Sequence, residues 1–223
     1  MDGGARQQHG LTFEDWIKST FFQSFTQTGY TDKWDATSIS FKSKYNLYTA
    51  GFGGLPVSMK TCRYGSSINF GDALRQIEND EDFLLVVGFW QNSGSRKKIV
   101  SIGAVKVPSD VWQNLFVTDQ EAVADTYETY LESETIKNIR ELDRGIKRLV
   151  RPSHTDAREF AKKTKLGLPD HLSMSINPKI DSKTQRRVQC SLSFSVFQET
   201  FKNEFLLQTG DAVFWGETVP PIS

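Results

Sequence analysis

The chain has only two cysteines, Cys62 and Cys190, and three histidines, His9, His154 and His171, spread along 223 residues. That is too few for a disulfide framework, and the histidines have no zinc-ligand spacing. No apolar run approaches the roughly 20 residues needed to cross a bilayer. The polar, Gly- and Gln-rich stretch Met1 to Gly10 has no hydrophobic signal region, so a cytoplasmic location is expected. Internal repeats and low-complexity segments are missing, as is any Ser-His-Asp spacing for acyl transfer. Net charge is missing too, since 27 basic side chains balance 27 acidic ones.

The balance is global only. Residues 137–187 hold 14 basic and 6 acidic side chains, whereas residues 71–136 hold 5 and 12. Such asymmetry fits a basic face for a polyanion, and it equally fits a pair of solvated amphipathic helices. With 38% apolar residues, 16 Phe and 5 Trp, the chain has ample material for one large core.

Phe13, Trp16, Ile17, Phe21 and Phe22 form one apolar helical face, with a start near Thr12, where Thr12 and Asp15 have capping-box spacing. Tyr30 to Ala36 and Ser38 to Tyr45 read as extended, followed by a turn rich in glycine (Gly51, Gly53, Gly54). Leu55 to Thr61 reads as a strand and Asn69 to Asn79 as a short helix. Phe83 to Trp90, FLLVVGFW, has the continuous apolar character of a central buried strand. It pairs in hairpin fashion with Ile99 to Val107 through Asn92–Ser93–Gly94–Ser95. Helical patterns cover Ser109 to Leu115, Gln120 to Leu131, Glu134 to Val150 and Thr155 to Lys165. Leu172 to Ile176 and Val188 to Val196 then read as a late β-ribbon. This order predicts an α/β (α+β) fold around a mixed sheet.

The chemistry concentrates between Lys33 and Gln76. On a strand over Leu55 to Thr61, Val57, Met59 and Thr61 share one side, and Ser58, Lys60 and Cys62 the other. A lysine flanked by apolar residues on a buried strand needs carboxylate partners. Asp35 lies upstream at a strand end, with Asp32 competing, and Asp72 lies downstream at the start of a helix. Carboxylates that hold Mg²⁺ beside a lysine suit phosphodiester hydrolysis, because the attacking water must lose a proton and charge develops on phosphate oxygens. Gly54 to Thr61 is a near miss to a P-loop. Met59 replaces the glycine before the lysine, and Pro56 and Val57 favour a strand over a phosphate cradle.

Asp35 followed by Ser58-Met59-Lys60 resembles the PD-(D/E)XK nuclease signature, with Ser58 standing where the second acid normally sits. A branch of type II restriction enzymes is similar in carrying Ser-X-Lys on this strand and taking the missing carboxylate from the next helix, about a dozen residues on. The resemblance implies that Asp72, or alternatively Glu78, fills that role. It also implies that Glu14, on the first helix, completes the site. GLPVSMKT and GDALRQ, followed by the apolar strand, add to a likeness that covers about residues 10–92.

What the resemblance implies is a single nuclease domain over 1–223, with 11–107 as catalytic core. Residues 108–223 would form a helical and β-ribbon part for DNA recognition and dimerisation. Asp35, Asp72 and Glu14 would hold Mg²⁺, Lys60 would orient the attacking water, and Ser58 would fit beneath. A homodimer would cut double-stranded DNA at a short specific site in a prokaryotic cytoplasm, with no membrane partner. Arg63, Tyr64, Lys97 and Lys98 (beside Arg96), and Lys183, Arg186 and Arg187 in the ribbon are the candidate DNA contacts. Competing readings are a structure-specific repair or junction nuclease and a non-catalytic DNA-binding protein. Each singled-out residue also has an ordinary structural role to weigh, such as helix capping for Asp72.

Overall fold

The computed structural model describes residues 3–29, 32–94, 96–118, 121, 126–149, 155–156, 159–160, 168, 172–180, 186–201 and 210–222, with side chains from residue 12 onward. The chain divides into two compact units, Met1–Ile68 with Asp82–Val107 and Phe194–Ser223, and Asn69–Glu81 with Pro108–Ser193.

The first unit opens with α1 (Gly3–Phe21), β1 (Phe22–Gln27) and β2 (Ala36–Phe41). A 3-10 turn (Ser43–Tyr45), α2 (Asn46–Thr49) and β3 (Val57–Arg63) follow. In chain order, β4 (Ile68–Asp72) and α3 (Ala73–Ile77) come next, then the long strands β5 (Phe83–Ser93) and β6 (Arg96–Val107). The five-stranded sheet has the order β1-β2-β3-β5-β6. It is mixed: β3 runs parallel to β5, from Val57↔Leu84 to Arg63↔Trp90, and the other neighbours are antiparallel. Phe83 to Phe89 is buried throughout, as the unbroken apolar run predicts for a strand with neighbours on both edges.

α1 lays Phe13, Ile17 and Phe21, spaced four residues apart, into a core shared with Val57, Met59, Leu84 and Val86. Gly88 is what lets it approach. A Cβ there would lie 2.8 Å from Phe13 Cε2 and 3.2 Å from Ile99 Cδ1. A second aromatic group gathers Phe21, Phe41, Phe52 and Phe214 around Trp215. Trp215 (φ 49°) and Gly216 (φ 85°) turn the small hairpin of β9 (Val213–Phe214) and β10 (Glu217–Thr218).

The second unit is built on a three-stranded sheet, order β4-β8-β7, from β7 (Met174–Ile180) and β8 (Arg186–Leu192) with β4. The helices α4 (Ser109–Asn114), α5 (Tyr127–Leu131) and α6 (Glu134–Arg148) belong to it, and α7 (Phe194–Thr200) returns to the first unit. α6 buries Ile136, Ile139, Leu142 and Ile146, and Ser133 caps it by accepting the Ile136 amide. The buried Asp143 carboxylate on that face accepts the Val188 amide at 3.1 Å, which ties α6 to β8.

Four local expectations are corrected. α1 begins at Gly3, so Thr12 lies inside the helix instead of at its start; Ala5, Arg6, Gln7 and Gln8 are good helix formers. Phe22 opens β1 instead of ending the helix, and still reaches the core opposite Phe41. Asn69 to Asn79 divides into β4 and α3, because Asp72 caps a helix that starts only at Ala73. The alternating run to Val196 stops at Leu192, since Phe194, Phe197 and Phe201 also satisfy a helical period. Much of the two expected helices over 120–131 and 155–165 lies outside the described residues.

Gly88→Ala is expected to destabilise the protein by about 1–3 kcal/mol, since the added methyl has no room beneath Phe13. Urea unfolding would measure it, and unchanged stability would show that α1 is not held at this distance.

Candidate active site on the five-stranded sheet

Asp35 stands immediately before β2, and its amide donates to Val57 O at 2.8 Å. That bond continues the short pairing in which Ala36 faces Val57. The Asp35 carboxylate then reaches along β3. Its Oδ2 accepts the Met59 amide and lies 3.0 Å from Lys60 Nζ. Lys60 Nζ also donates to Met59 O at 3.1 Å. Both bonds fall on Oδ2, and among the described residues Oδ1 takes none, so this oxygen is the one open to a cation. The two side chains are each 23% exposed, partly desolvated yet reachable.

Glu14 approaches from α1, one residue beyond the buried Phe13. Its carboxyl is pushed up to about 7, first by burial and then by the negative charge of Asp35. Lys60 and Lys18 oppose the shift. Lys18, one turn on, holds its Nζ 3.9 Å from Glu14 Oε2. Sequence reading overlooked Lys18, although its i, i+4 spacing from Glu14 is a visible signal. The four groups are two acids and two bases.

Of the expected set, Glu14, Asp35 and Lys60 come together. Ser58 is buried and uncharged on β3, two residues before Lys60. Asp72 belongs to the second unit, where its Oδ1 accepts the Leu74 and Arg75 amides and caps α3. Glu78 is exposed at the other end of that helix. Among the described residues no three His, Cys, Asp or Glu side chains form a metal-binding group. Two carboxylates nonetheless fit Mg²⁺, which characteristically takes one or two and keeps several waters. Burial pushes the Cys62 thiol up to about 12, so it stays protonated and offers no nucleophile.

The expected DNA contacts are dispersed. Arg63 is exposed at the end of β3. Tyr64 packs its ring against Phe89 and Phe194. Lys97 Nζ sits 4.4 Å above the Trp90 ring, and Lys98 pairs with Asp211 at 2.8 Å. With Arg96 these two lysines line a cavity of about 260 Å³. Arg186 donates to Lys147 O and Leu149 O, and Arg187 stands half-buried opposite Lys179. Lys183 lies outside the described residues. Among the described residues no helix is long and apolar enough to cross a membrane.

Comparison with protein-family models, with curated proteins and with solved structures finds no match to this chain.

Two outcomes test this geometry. Asp35→Ala leaves the Met59 amide and the Lys60 ammonium without their acceptor, and is expected to cost about 1–3 kcal/mol in urea unfolding. For Glu14 the window runs from the ordinary 4.5 to about 7. There the unfolded chain has released a proton that the folded chain keeps, so stability falls as pH rises through it and this group adds no further change above it. In Glu14→Gln that component is expected to vanish. An unaltered pH profile would mean that Glu14 titrates normally.

Proposed function

We propose that this chain is a Mg²⁺-dependent endonuclease that hydrolyses phosphodiester bonds of double-stranded DNA, working as a homodimer at a short specific sequence in the manner of type II restriction enzymes. The observation that carries this reading is the Asp35–Lys60 pair at 3.0 Å, with Glu14 brought to it from α1. One carboxylate immediately before β2, one on α1 and a lysine on β3 would supply what the reaction needs. The PD-(D/E)XK resemblance supplies the prior for that reading.

Glu14 and the open Oδ1 of Asp35 would hold the cation. When bound there, Mg²⁺ supplies Lewis acidity and lowers the pKa of a coordinated water. Asp35 keeps Lys60 in place through Oδ2, so the ammonium is oriented before substrate arrives. Lys60 then offers a donor to the attacking water or to a non-bridging phosphate oxygen, where negative charge grows. Glu14, buried beside Asp35 and with its partner Lys18 at 3.9 Å, would gain from a cation, which would favour its ionised form. Glu14 and Asp35 would serve as the ligands, while Asp72 stays at its cap. Two copies match a two-fold symmetric site most simply.

Incubation of phage-sized DNA with the protein and about 10 mM Mg²⁺, a concentration suited to a weakly held hydrated ion, tests the reading. Discrete fragments are expected from the wild type and none with EDTA, with Lys60→Ala slower by about 10²-fold or more. Nicking confined to branched or damaged DNA would replace restriction with structure-specific cleavage. DNA left intact, with binding retained, would leave a non-catalytic DNA-binding protein.

A further inference from the structure

Lys18, Lys42 and Lys60 are half-buried lysines of the first unit, and two of them are engaged by hydrogen bonds. Lys60 donates to Asp35 Oδ2 and to Met59 O. Lys42 donates to Thr20 O at 2.9 Å and to Ser19 O, so it serves the carbonyls at the end of α1. Lys18 is different. Its side chain is 12% exposed, more enclosed than that of Lys60 at 23%. An ammonium has three donors to place. Among the described residues, the partners of this one are Glu14 Oε2 at 3.9 Å, beyond hydrogen-bond reach, and the ring of Phe25, with its centroid 5.9 Å away.

A lysine is seldom enclosed unless its charge is both paired and hydrogen-bonded. Lys18 is paired without being bonded. The helix end does not account for it, because Lys42 already meets the terminal carbonyls and a solvated cation would complement the helix dipole as well. Nor does Lys18 hold its partner ionised, since the Glu14 carboxyl is still raised to about 7. We infer that Lys18 is a second phosphate-holding lysine of this site, with its unbonded donors directed to a non-bridging oxygen of the DNA backbone. The inference rests on the nuclease reading above and adds to it a residue that the PD-(D/E)XK resemblance does not point to. The i, i+4 spacing brings Lys18 and Glu14 to the site from one face of α1. Charge complementarity supports the role. With both acids ionised, Glu14, Asp35 and Lys60 together carry one negative charge, and a dication among them leaves a surplus of one positive. Lys18 raises that surplus to two, which matches a phosphodiester under attack by hydroxide, each bringing one negative charge. In this role Lys18 keeps its proton and acts as a donor only.

Fluorescence anisotropy with a labelled duplex in EDTA reads phosphate contact apart from cleavage. The comparison is made in Glu14→Gln, where Lys18 has no carboxylate left to offset. There Lys18→Gln is expected to weaken binding about tenfold or more. The log–log salt slope should become shallower by about 1, and Lys18→Arg should restore both. Equal affinity and slope for Glu14→Gln and Glu14→Gln/Lys18→Gln would overturn the inference, because a lysine that only balances Glu14 has nothing to lose there. If Lys18→Gln fails to fold by circular dichroism, Lys18→Met, which keeps an apolar stem beside Phe25, serves the same comparison. Wild-type protein that binds the duplex but leaves DNA uncut with Mg²⁺ would sink the nuclease reading alone, while a Lys18 effect on binding would still stand. Cutting by the wild type, with affinity and slope unmoved by Lys18→Gln, would sink the inference alone. A wild type that neither binds nor cuts DNA would sink both.

Discussion

One carboxylate oxygen, Asp35 Oδ2, joins the fold to the site. β2 and β3 share a single register pair, Ala36 and Val57. The strands would part quickly beyond it if Asp35 did not reach forward to the Met59 amide. The same oxygen anchors the Lys60 ammonium. Charge-assisted bonds to a partly buried carboxylate are each worth about 1.5–3 kcal/mol. The bond that links β2 to β3 therefore also orders the lysine.

Around that oxygen the charges are arranged in tension. Asp35 is satisfied by Lys60, whereas Glu14 has the weaker partner in Lys18, at 3.9 Å. Burial and the neighbouring carboxylate make Glu14 the member that prefers a proton. Under the proposed function, a cation held by Glu14 and Asp35 would take the place of that proton.

Much of this was legible in the residues. The buried strand Phe83 to Phe89 announced itself by seven consecutive apolar positions, and Lys60 by its charge among apolar neighbours. Asp35 was marked as a carboxylate partner for that lysine and Glu14 by resemblance, and both converge with Lys60. β1 was missed because Phe22 continues the helical spacing of Phe13, Ile17 and Phe21, so a period of 3.6 hid the change to extended chain. Lys18 was missed because an i, i+4 pair looks the same on a solvated face. Parity in β8 was missed as well. Arg186 and Arg187 read as one basic pair, but neighbouring strand residues project to opposite sides, and only the pairing with β7 showed which one is bound to α6.

Gly88 has a consequence beyond packing. The ring of Phe13 rests on the bare backbone of β5, and Glu14 is the next residue along α1. The absent side chain thus acts as a spacer of zero thickness that sets the height of the carboxylate above the sheet. Any residue with a Cβ would raise the helix, and the distance between Glu14 and Asp35 would change although neither had been altered. By this account a glycine outside the cluster of Glu14, Asp35 and Lys60 gauges how far apart its two carboxylates stand.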